Sequence, residues 1–119
     1  MDATLNPATD RLRTVVGRVD MNLAMAEGFL MAPPADNILD QTVGLIEQAT
    51  VPLRYVVNDP TLPYGVGAPA IDGYQVLMRA GQTLRDALHG GLSLEDARSS
   101  ASEDVRSGRL LLKTAIANA

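Results

Sequence analysis

The sequence predicts an all-α protein, a four- to five-helix bundle with a Pro/Gly-rich extended arm between the second and third main helices. Apolar residues recur in alternating steps of four and three along most of the chain, the period of a one-faced helix. Aromatic side chains make up only 3%, while alanine and leucine abound, which favours closely packed helices over sheets. A Pro-Pro pair, a long Pro/Gly window and a Gly-Gly pair separate the periodic runs. At 119 residues the chain is one domain, residues 1–119, and is too short for a two-lobed enzyme with an interlobe cleft.

The first helix is expected from about Thr9 to Met31, with Pro7 near its start and Thr9 or Asp10 as its cap. Leu12, Val16, Val19, Leu23, Ala26 and Leu30 fall within about 80° of one face and form its core seam. A second line, Gly17, Met21, Ala24 and Gly28, keeps the four-three-four spacing on the opposite side, where a surface helix would carry charge. Glycine costs a helix roughly 1 kcal/mol relative to alanine, so two on one uncharged face predict a close neighbour there.

Pro33-Pro34 ends this helix and Asp36 caps the next. Leu39, Val43, Ile46, Leu53 and Val57 keep one line past Pro52, which predicts either one kinked helix or two shorter ones. Asn58 to Ile71 holds Pro60, Pro63, Gly65, Gly67 and Pro69, and reads as a loop or arm able to wrap a partner. Asp72 is the expected cap of a third helix carrying Leu77, Ala80, Leu84 and Leu88 and ending at Gly90-Gly91. Ser93 then caps a fourth helix from Leu94. Its end, Leu110-Leu111-Leu112, is apolar on every side and is expected to be buried.

Composition removes several functions. A net charge of -4 argues against general nucleic-acid binding. The absence of cysteine excludes disulfides, iron–sulfur clusters, thiolate zinc sites and cysteine nucleophiles. No run approaches the roughly 20 apolar residues needed to cross a bilayer, and MDATLNPATD is no secretory signal, so a cytoplasmic protein, or a virion protein if phage-encoded, is expected. Nine arginines against one lysine, with the high alanine content, hint at a GC-rich bacterial or phage genome.

Motifs of known chemistry are weak. His89 is the single histidine, which forbids a two-histidine metal site, and Asp36 with Asp40 is better read as a cap and a solvated charge. Asp86, His89 and Ser93 are the residue types of a hydrolytic triad, but no oxyanion donor is implied and Ser93 serves as a cap. Gly65-Val66-Gly67-Ala68-Pro69-Ala70 lacks the strand and the uninterrupted helix of a dinucleotide site. Leu92 to Ala97 has the outline of a recognition helix, yet opens with two acids. Arg106, Arg109 and Lys113 share a flank that suits an anionic ligand or acidic partner, with Tyr64 as a stacking group, although cations late in a helix also simply suit its dipole.

The expectation is therefore an interface and not a reaction: a non-enzymatic assembly protein without cofactor or metal, a homo-oligomer or small subunit of a larger complex. Its contact residues are Gly17, Met21, Ala24, Gly28, Tyr64 and Leu111. Its partner is itself or another protein, not nucleic acid or membrane. The alternative is a module binding a small, nucleotide-like anion at a subunit boundary through Arg106, Arg109, Lys113 and Tyr64, and an accessory subunit of an enzyme comes third.

Overall fold

The computed structural model describes residues 6–32 and 38–119, and these form four helices: α1 (Pro7–Met31), α2 (Ile38–Val57), α3 (Tyr64–Leu88) and α4 (Leu94–Ala117). Pro33, Pro34 and Asp36, with the helix stop and the cap expected of them, lie outside the described residues.

Each helix packs on two others, α1 on α2 and α4, and α3 on α2 and α4. Neighbours run antiparallel. Along α3 and α4 the facing partners are Gly65 with Asn118, Gly73 with Gly108 and Arg79 with Asp104, in opposite chain order. The short connections Asn58–Pro63 and 89–93 allow this up-and-down arrangement. The central line holds Leu12, Leu23, Ile46, Leu53, Leu77, Leu84 and Leu112, all essentially without solvent contact. The six seam residues predicted for the first helix are all in this core.

Capping explains the boundaries. Asn6, not Thr9 or Asp10, caps α1: its side-chain oxygen accepts from the N–H groups of Ala8 and Thr9 at 2.9 and 3.2 Å, with Pro7 at the first turn where no donor is needed. At the other end of α1, Arg98 of α4 donates to the Leu30 carbonyl at 3.2 Å, supplying the cation that the last turn lacks. Gly90 takes φ 83° after the His89 cap of α3, a left-handed turn that glycine enters without penalty. Ser93 caps α4 by accepting from Asp96 N–H at 3.4 Å.

Three expectations are corrected here. The extended arm over 58–71 shortens to Asn58–Pro63, because α3 begins at Tyr64 and runs straight through Pro69. That proline cannot donate to the Gly65 carbonyl one turn earlier; Asn118 Nδ2, at the cap of α4, donates to it instead at 2.9 Å. Asp72 is accordingly an exposed residue inside α3 and caps nothing. Leu110 is 64% exposed, so only Leu112 of the apolar triplet enters the core, with Leu111 half-buried beside Gly73. Pro52 is likewise accommodated, and α2 is one helix.

Candidate protein-interaction surface

The outer side of α1 is where the sequence placed a second seam, and among the described residues nothing covers it. Gly17, Met21, Ala24 and Gly28 are all exposed, and a Cβ added at Gly17 or Gly28 would meet no atom within 4 Å. Within the chain, a close helix contact lies between α3 and α4. A Cβ at Gly108 would stand 2.7 Å from Cγ and Cδ2 of Leu77, and one at Gly73 would stand 3.1 Å from the Gly108 carbonyl oxygen. Only glycine lets these two backbones approach so closely. The sequence reading missed Gly73, whose one available signal was its position in mid-helix on the line of Leu77 and Leu84.

Met21, Met25 and Met31 are exposed by 72%, 48% and 66%. Together with Gly17, Ala24 and Gly28 they occupy roughly 120° of the circumference, counted at 100° per residue. Between Gly17 and Met31 no charge interrupts this sector. Arg18 borders one edge, and Asp20 and Glu27 border the other. Met25 and Met31 were not singled out from sequence, although both lie on the same four-three pattern of neighbours.

The acidic edge is held by α4. Arg109 donates from Nε and Nη2 to the two oxygens of Asp20 at 3.0 and 3.3 Å, and from Nη1 to Glu27 at 3.0 Å. Arg106 stands 3.8 Å from Glu27. The two hydrogen bonds to Asp20, reinforced by the one to Glu27, hold the Arg109 guanidinium above its usual pKa against the opposing effect of burial. The basic flank of α4 is thus a clamp across α1 and α4, with its central arginine spent on two carboxylates. Tyr64, 88% exposed, sits at the start of α3 beside a cavity lined by Val57, Leu62 and Ile71. Lys113 lines a different one, of about 290 Å³, with Arg13, Val16, Gly17, Asp20 and Ile116. Of the residues expected at an anion site, Arg106, Tyr64 and Lys113 line three separate cavities.

The other motifs have structural duties. Asp86 accepts from Gln82 at 2.8 Å, His89 ends α3 and Ser93 starts α4. Gly65 to Ala70 is helical. Among the described residues no three His, Cys, Asp or Glu side chains gather to hold a metal, and no helix is long and apolar enough to cross a membrane. The chain matches no protein family, no curated protein and no solved structure.

Proposed function

We propose that this chain is a non-catalytic protein-interaction module, a self-associating protein or a small subunit of a larger assembly, and that the outer face of α1 is its working surface. One observation supports the reading above all: three exposed methionines and three small residues share an uncharged helix face. Exposed apolar patches of this kind mark contact sites on soluble domains, and methionine is enriched at the core of interfaces. Small residues beside flexible thioethers let a partner helix approach and let the methionines fill the remaining gaps.

A photoreactive amino acid placed at Met21 in the cells that make the protein tests this. A control at Gln75, exposed on α3, sits on a surface assigned no contact. Irradiation gives protein adducts from position 21 well above those from position 75. Equal adduct yields from the two positions overturn the reading.

A further inference from the structure

Resting on that reading, we infer that the partner on the outer face of α1 is a second copy of this chain, its α1 antiparallel to the first about a two-fold axis level with Asn22 and Leu23. The four-three-four line is self-complementary in that arrangement. Reversing the second helix about that level sets Gly17 opposite the partner's Gly28, and Met21 opposite the partner's Ala24. Every layer then pairs glycine with glycine or a large side chain with a small one, which is what close helix packing needs. A parallel pair in register would also stack glycine on glycine, but would set Met21 against Met21 and Ala24 against Ala24, two large side chains in one layer and two small ones in the next.

A separate feature agrees with the same axis. The rotation brings the partner's Met31 level with Thr14, on the side of α1 that faces α4. There the cavity of about 290 Å³ opens between Val16, Gly17 and Ile116, with Arg13, Asp20 and Lys113 at its rim. Gly17 contributes no side chain to block it, and nothing lies within 4 Å of where its Cβ would stand. The 66%-exposed methionine therefore has an apolar receptacle on the second copy.

The size of the contact sets its strength. From Thr14 to Met31 the strip is about 27 Å long; at about 15 Å wide it covers roughly 400 Å² on each copy, half of a standard interface. The dimer is accordingly reversible and concentration-dependent.

Cysteine cross-linking tests the register, and the chain has no cysteine of its own to confuse the result. With antiparallel axes about 8 Å apart, the Ala24 Cα atoms of the two copies lie about 6 Å from each other, within disulfide reach. The two Gly17 Cα atoms lie more than about 16 Å apart along the axis. With an added oxidant, Ala24→Cys should dimerise covalently, Gly17→Cys alone should not, and a mixture of Gly17→Cys with Gly28→Cys should. Gln75→Cys supplies the rate of random collision, and circular dichroism checks that each variant keeps its helices. Self-linking of Gly17→Cys as fast as Ala24→Cys would mean a parallel pair and overturn the inference. Linking of Ala24→Cys and of the Gly17→Cys/Gly28→Cys mixture no faster than Gln75→Cys would also overturn it; if position 21 still forms photo-adducts, the face then serves a different protein and the broader reading stands.

Discussion

Replacing Gly108 by alanine adds one methyl group where α3 and α4 nearly touch. The new Cβ falls 2.7 Å from two carbons of Leu77, which has 0% exposure, and 3.2 Å from the Gly73 carbonyl oxygen. Carbon atoms attract best at about 3.5–4.0 Å, so the overlap is close to 1 Å at two atoms. Overpacking of this kind costs about 1–3 kcal/mol, while the better helix propensity of alanine returns up to about 1 kcal/mol. The net result is a loss of up to roughly 2 kcal/mol. Gly44→Ala in α2 makes the same chemical change where nothing lies within 4 Å, and should stabilise by about 0.5–1 kcal/mol. Urea unfolding followed by circular dichroism measures both, with an unchanged m-value showing that only stability has moved. Leu77→Ala in the Gly108→Ala background sharpens the test. Truncating Leu77 alone should cost about 2–5 kcal/mol, and in the double variant about 1–3 kcal/mol less, since it also relieves the overlap. The reasoning is refuted if Gly108→Ala stabilises as much as Gly44→Ala, or if the two substitutions at the contact are additive.

Further expectations concern the other helices. Gly28→Leu should leave unfolding of the dilute monomer unchanged or slightly improved, because the position is open, yet weaken association measured by light scattering; a destabilised monomer would mean that the face is covered within the chain. Asn118→Ala should lower stability by about 0.5–1 kcal/mol in the wild type and by nothing in Pro69→Ala, where the restored N–H takes over the Gly65 carbonyl; equal losses in both backgrounds would contradict that pairing. The hydroxyl of Thr61, then its N–H and the Arg11 guanidinium, hold the Asp59 carboxyl below its usual value of 3.8. Its contribution is then complete above the unfolded-chain value and vanishes as pH falls through the lower folded-state value. The gap in urea midpoint between wild type and Asp59→Ala should therefore be constant near neutrality and narrow below pH 3.8, whereas a gap independent of pH would remove the linkage. Arg109→Met strands the carboxylates of Asp20 and Glu27 beside an apolar chain and should cost about 1–3 kcal/mol, less at high salt; no loss would show the clamp to be idle.

Much of this architecture is legible in the sequence because its causes are local. The buried line from Leu12 to Leu30 follows from a repeat of 3.6 residues, and Ser93 and Gly90 sit at helix ends for reasons carried within a few neighbouring residues. The Pro/Gly window misled for the opposite reason. Pro69 is tolerated in α3 because Asn118, 53 positions from Gly65, occupies the Gly65 carbonyl that the proline leaves vacant, and no local rule contains Asn118. The same holds for the arginine flank. Arg109 looked available along its own helix, and only the packing of α4 against α1 sets it between two acids.

By itself the sequence determined an all-helical chain of four to five amphipathic helices, the apolar line of each and, on α1, a second uncharged line; periodicity and caps act over one or two turns. Tertiary structure alone decided which faces meet. Within the chain it put a close glycine contact at Gly73 and Gly108, and it left the outer line of α1, with Gly17 and Gly28, exposed. The physical reason is that two apolar stripes on one helix look alike in sequence, whereas a bundle of four has core enough for only one of them.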